Sequence, residues 1–205
     1  MSYKILHALF AECLRRPYTT VENGASFDAV LENGTLFLFF EPSNGQEDWD
    51  NNLNFRIRPY DDMNPVWYCH AGFLRVFKSV LPYIEPYIED PSVRRVITVG
   101  YSHGGALAIL CHEAVRFRCP SLGQNVKTFA YGAPRVLYAP IPPAVRARFD
   151  ELYLIQNQGD AVTRLPPALL GYRHVGHVIS IGNGSYSAID AHRPESYLEQ
   201  LHRME

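Results

Sequence analysis

Apolar residues at Ile5, Leu6, Leu9, Phe10, Cys13 and Leu14 recur every three to four positions, so the chain opens with an amphipathic helix that has one face to lay against a sheet. The period then changes. The stretch "SFDAVLENGTLFLFFEP" reads as two strand-like runs joined by Asn33-Gly34, the dipeptide best suited to the positive φ angles of a two-residue hairpin turn. Its second run, Leu36 to Phe40, is apolar throughout, which predicts an interior strand.

Residues 72 to 81 carry a helical pattern that Pro82 and Pro86 interrupt, and Val96 to Val99 predicts a short buried strand. Further strands are expected at Lys127 to Tyr131, Leu152 to Asn157 and Val175 to Ile181. "HEAVRF" continues a helix begun after Ser102, and "ESYLEQLHRM" closes the chain as another. Strands alternating with helices predict an α/β fold with a mostly parallel central sheet flanked by helices and an N-terminal hairpin. Neither an internal repeat nor an interdomain linker is visible, so one domain over residues 1 to 205 is expected.

Composition narrows the function classes. At 205 residues, 47% hydrophobic and 20% charged, the chain is long enough for one well-buried core. Its formal charge of −2, with Lys and Arg spread along the chain, leaves no electrostatic footprint for nucleic acid. The opening helix is broken by Glu12 and makes a poor signal peptide, and no apolar run is long enough to span a bilayer. A cytoplasmic protein with at most peripheral membrane contact is therefore expected. Cys13, Cys69, Cys111 and Cys119 show no metal spacing and read as reduced, mostly packed thiols. The eight histidines contain no HExxH, so no metal is expected.

The candidate chemistry lies in "RRVITVGYSHGGALAIL", residues 94 to 110. Gly100-Tyr101-Ser102-His103-Gly104 fits GxSxG, with a β-branched strand before it and a helix-forming run after it. In that context a serine occupies a sharp strand-to-helix turn, with its Oγ near a helix N-terminus where backbone N–H groups favour developing negative charge. A serine at the same place also reads as an ordinary helix cap. The two readings part on whether the chain supplies a base, an acid and an oxyanion site.

The segment "VITVGYSHGGALAIL" resembles the nucleophile segment of the class-three lipases, the fungal-type triacylglycerol lipase family of the α/β-hydrolase fold. Other segments agree in the family's order. "LFLFFEPSNGQEDWDNNLNF" resembles its oxyanion strand and Asp-Trp segment, Cys69-His70-Ala71-Gly72-Phe73 its His-x-Gly-Phe, and "TFAYGAPRV" its Phe-Gly-Ala-Pro-Arg. "NQGDAVTRLPP" and "YRHVG" resemble its acid loop and the strand that follows.

The resemblance implies Ser102 as nucleophile, Asp160 as orienting acid and His192 as general base. Ser, then Asp, then His is also the chain order this fold uses. Asp190 competes as the acid, although it lies only two positions from His192; His174 and His177 compete as the base from the start of an expected strand. For the oxyanion hole the resemblance implies backbone donors at His103 and Ser43, with a departure: Glu41-Pro42 stands where the family has Arg-Gly. Proline has no N–H and cannot take positive φ, so the donor geometry at Ser43 is expected to differ.

Family lipases cover the site with a lid, which here falls on the short, mixed interval "RIRPYDDMNPVWYC". Tyr101, Trp67 and Tyr68 are the candidate substrate contacts. The resemblance therefore implies a cofactor-free hydrolase of small-molecule acyl esters or lipids working through an acyl-enzyme, with small, soluble or single-tailed esters favoured by so short a lid. An acyltransferase or thioesterase on the same triad, and a non-catalytic lipase-fold binding module, are the alternatives.

Overall fold

The computed structural model describes residues 2–21, 25–42 and 55–205. Eleven strands are found among them: β1 (Thr19–Thr20), β2 (Ser26–Glu32), β3 (Thr35–Phe40), β4 (Ile57–Tyr60), β5 (Trp67–His70), β6 (Arg95–Tyr101), β7 (Val126–Tyr131), β8 (Leu137–Tyr138), β9 (Leu152–Asn157), β10 (Tyr172–Arg173) and β11 (His177–Ile181). The helices are α1 (Tyr3–Cys13), α2 (Ala71–Ile88), α3 (His103–Arg118), the single turn α4 (Pro143–Arg146) and α5 (Pro194–Arg203).

The main sheet runs β1-β2-β3-β6-β7-β9-β11. β1, β2 and β3 pair antiparallel, and every pairing from β3 to β11 is parallel. The β2–β3 turn is the expected one, with Asn33 at φ 51° and Gly34 at φ 77°. Strand alternation divides the core into two layers. Leu36, Leu38, Phe40 and Val96 pack on the side of α2 and α3. Phe39, Val99, Tyr101, Phe129 and Tyr131 pack on the other side, with Leu6 and Phe10 of α1 and Tyr197 and Leu201 of α5. Since Tyr101 belongs to the α1/α5 layer, Gly100 faces α3, and this parity decides what surrounds the turn that follows.

Three expectations are corrected. The second helix runs on through Pro82 and Pro86 to Ile88. These prolines are four residues apart on the exposed side, which turns the carbonyls that they deprive of an intrahelical partner toward solvent, while Leu81, Ile84 and Ile88 hold the other side in the core. The interval expected as a lid is the β4–β5 hairpin of a second, antiparallel sheet in the order β10-β8-β5-β4. It is fastened by Tyr60, Met63 and Trp67, all in the core, with Tyr60 and Trp67 paired edge-to-face at 5.2 Å. The last strand starts at His177 rather than Val175, just after Gly176 at φ 80°. All four cysteines are free, three of them buried.

Candidate active site

Ser102 is the one described residue between β6 and α3, and its backbone stands at φ 55°, ψ −120°, outside the regions an L-residue favours. Such a conformation costs roughly 1–3 kcal/mol and persists where its surroundings over-determine it. Both motif glycines are part of that surround. A Cβ on Gly100 would lie 2.1 Å from the Gly104 carbonyl oxygen, and one on Gly104 would lie 2.3 Å from the Phe40 oxygen. Strand, turn and helix therefore close on one another without room for a methyl group, and α3 starts directly against the end of β3. The Ser102 N–H donates to the Tyr131 carbonyl of the neighbouring strand at 2.8 Å.

The Ser102 side chain makes no cap hydrogen bond to α3. Its Oγ lies 2.9 Å from Nε2 of His192 instead, which separates it from an ordinary capping serine. His192 ends a short 3₁₀ turn, Asp190–His192, before α5, and its Nδ1 lies 2.8 Å from Oδ2 of Asp160. Asp160 follows the carboxyl end of β9 and is 1% exposed. Its Oδ1 accepts from the Val162 N–H at 2.8 Å, and its Oδ2 also accepts from the Tyr197 hydroxyl at 2.6 Å. Three side chains from positions 102, 160 and 192 thus form one hydrogen-bonded line from the Ser102 hydroxyl to a fully buried carboxylate.

The competing acid and bases lie elsewhere. Asp190 pairs with Ser187 at 2.7 Å and with Arg193 at 3.1 Å, on the surface. His174 Nε2 meets the Thr163 carbonyl at 2.7 Å, and burial pushes this imidazole down to about 4. His177 meets the Asp150 carbonyl at 2.8 Å.

Two expected substrate contacts are corrected. Tyr101 is the last residue of β6, and its side chain lies on the α1/α5 face of the sheet, away from α3. It is buried there, its ring stacked on His192 at 5.2 Å and its hydroxyl donating to the His192 carbonyl. Trp67 is 1% exposed and packs edge-to-face on Phe149, in the core. Tyr68, its neighbour in β5, is exposed. His103 begins α3 and packs edge-to-face on Phe73 at 5.5 Å, while Ser43 and the Asp-Trp segment at 48 and 49 lie outside the described residues.

Residues that the sequence did not single out complete the site. Tyr197, in α5, accepts from the Asn157 N–H at 3.1 Å and donates to Asp160. Burial, reinforced by the Asp160 carboxylate, holds its phenol far above the usual tyrosine range, so it stays a donor. Asn157 Nδ2 donates to the Ala191 carbonyl at 2.9 Å and so ties down the turn that carries His192. Gly132, at φ 56°, lets the His192 ring approach: a Cβ there would sit 3.2 Å from its Cε1. Local patterning around Tyr197 reads only as an amphipathic helix, so no sequence signal marks it.

A serine on a strained strand-to-helix turn, with acid and imidazole arriving from later loops of a mostly parallel sheet, defines the α/β-hydrolase fold. The chain belongs to the class 3 lipase family, whose profile matches residues 37–170. A lipase of Rhizopus niveus is 26% identical over 147 residues, covering 69% of this chain and 37% of that protein. The secreted mono- and diacylglycerol lipase LIP1 of Malassezia globosa is 29% identical over 162 residues, 76% of this chain and 52% of its own length. The solved structure of lipase II from Rhizopus niveus superposes with a TM-score of 0.70 over 83% of this chain and 66% of that one, at 23% identity, a likeness of fold. The chain spans about half or less of the length of these curated relatives. The cytoplasmic placement expected above is at odds with a relative named as secreted. What stands is that no helix among the described residues is long and apolar enough to cross a membrane.

Proposed function

We propose that the chain is a serine carboxylester hydrolase in which Ser102 is the nucleophile, His192 the general base and Asp160 the acid that orients it. The observation that carries this reading is the unbroken line Ser102 Oγ, His192 Nε2, His192 Nδ1, Asp160 Oδ2, with gaps of 2.9 and 2.8 Å. As Oγ bonds to the ester carbonyl carbon, its proton passes to Nε2, and Asp160 stabilises the imidazolium. The alkoxide of the tetrahedral intermediate collects its charge beside the N-terminus of α3, where the His103 backbone is the proposed donor. Collapse breaks the bond to the alcohol, which leaves with the Nε2 proton. Water then repeats the sequence on the acyl-enzyme and restores Ser102.

The substrates proposed are acyl esters that are small, soluble or single-tailed, in keeping with a family that includes lipases named for mono- and diacylglycerols. The β4–β5 hairpin supports that choice, because Tyr60, Met63 and Trp67 anchor it in the core and a segment so anchored is ill suited to swing as a lid. The test is labelling with a fluorophosphonate, wild type against Ser102→Ala. A covalent adduct on Ser102 in the wild type alone is expected, with Ser102→Ala lowering kcat for p-nitrophenyl esters about 10⁶-fold. Absence of any adduct on Ser102 would overturn the reading in favour of a binding module. Turnover should rise smoothly with ester concentration, and a sharp jump at the micelle threshold would contradict the substrate choice.

A further inference from the structure

The packing of α1 against α5 gathers His7, His202 and Glu205, whose donor atoms all lie within 4.8 Å of one another. His7 Nδ1 is 2.5 Å from Glu205 Oε1, and His202 Nδ1 is 3.9 Å from Oε2 of the same carboxylate. The two imidazole rings are 5.7 Å apart, tilted by 47°. From this arrangement we infer a divalent metal site of the zinc class, separate from the Ser102 site and formed by His7, His202 and Glu205.

Three observations support the assignment. Two imidazoles and a carboxylate form a donor set suited to zinc, copper or nickel rather than to magnesium or calcium, which prefer oxygen. The helix backbones that present the histidines are fixed, because each directly follows a buried leucine: Leu6 lies in α1 and Leu201 in α5, both in the core layer beneath the sheet. The Tyr131 hydroxyl ties α1 down further by donating to the Leu6 carbonyl at 2.7 Å. Finally, the Glu205 side-chain carboxylate stands between the two imidazoles with one oxygen toward each ring, so a single cation set among them reaches all three donors.

Around a tetrahedral zinc the donors stand about 3.3 Å apart, given bonds of about 2.0–2.2 Å. His7 and Glu205 must therefore part slightly and His202 must close in, which its exposed side chain is free to do. On binding, three coordinate bonds form, from one nitrogen of each ring and from the carboxylate. Where His7 ligates through Nδ1, its ring proton resides on Nε2, and a water fills the fourth position. The ion would then fasten the first helix to the last, and α5 is the helix that carries Tyr197.

The experiment uses the full chain, free of any affinity tag and stripped with EDTA, titrated with ZnCl₂ by calorimetry and followed by thermal melting. One equivalent is expected to bind, and at 100-fold excess over Kd the Tm should rise by about 5–10 °C. MgCl₂ should give no rise. His7→Ala, His202→Ala and Glu205→Gln should each weaken zinc binding at least about tenfold, and their melts in EDTA report whether the fold is intact. Since His202 is exposed, His202→Ala keeps the test meaningful if His7→Ala folds poorly. Failure of wild type to bind one equivalent, or undiminished binding in the His7→Ala/His202→Ala double variant, would overturn the assignment.

Discussion

Tyr197 donates its hydroxyl proton to Oδ2 of Asp160, the same oxygen that faces Nδ1 of His192, at 2.6 and 2.8 Å. A helix near the end of the chain thereby helps to hold the carboxylate on which the His192 ring is aligned. Hydrogen bonds to a charged group contribute roughly 1.5–3 kcal/mol, and leaving a buried lone pair unmet forfeits that. Tyr197→Phe is therefore expected to lower stability by about that amount in urea unfolding, and to reduce kcat about tenfold with KM little changed. An unchanged kcat would confine Tyr197 to packing.

The strained turn at Ser102 has its own signature. Glycine accepts φ 55°, ψ −120° far more readily than alanine. Ser102→Gly and Ser102→Ala both remove the hydroxyl, yet the glycine variant should be the more stable by about 1 kcal/mol. Thermal melts of the two compare them directly, and equal stability would mean that the surround relieves the backbone.

Two aspartates flank His192, one beside it in sequence and one beside it in space. Asp160→Asn should lower kcat on the order of 10⁴-fold, because an amide cannot stabilise the imidazolium or hold the correct tautomer. Among the described residues the Asp190 side chain bonds Ser187 and Arg193, away from the His192 ring, so the rate of Asp190→Asn should stay close to wild type. Steady-state hydrolysis of one ester by both variants checks the pair, and the reverse ranking would exchange their roles.

Buried His112 predicts an acid limit to stability. Its Nδ1 meets Thr128 Oγ1 at 2.8 Å and its Nε2 the Arg148 carbonyl at 2.9 Å. Burial pushes it from 6.5 down to about 4. As pH falls from 6.5 toward 4 the unfolded chain takes up a proton that the folded chain refuses, so stability drops by an amount on the order of 3 kcal/mol. Glu113, which burial pushes up to about 7, slopes the opposite way, so the difference between wild type and His112→Gln isolates the histidine. Urea unfolding should find the variant gaining stability relative to wild type as pH falls across this range. Parallel curves would show that His112 is not the group responsible.

Much of the fold was legible because its signals are local. Period and turn chemistry marked α1, the Asn33-Gly34 hairpin and the strand-to-helix passage at Ser102, since helix and strand hydrogen bonds join residues near in sequence or follow a fixed alternation. Pro82 and Pro86 misled for the same reason. A local rule ends a helix there, whereas buried Leu81, Ile84 and Ile88 carry it past both. Trp67 and Tyr101 looked like substrate contacts because composition does not say which face of a strand meets the core.

By itself, the sequence determined most elements of the main sheet and its helices, the parallel α/β class and the place of one serine between two glycines. Only the tertiary structure decided which distant groups meet. Sheet order and layer parity put Tyr101 behind His192, brought Tyr197 to Asp160 and set His7 beside His202 and Glu205. These pairings span 37 to 198 positions and rest on how whole layers pack, a property that no local window of residues contains.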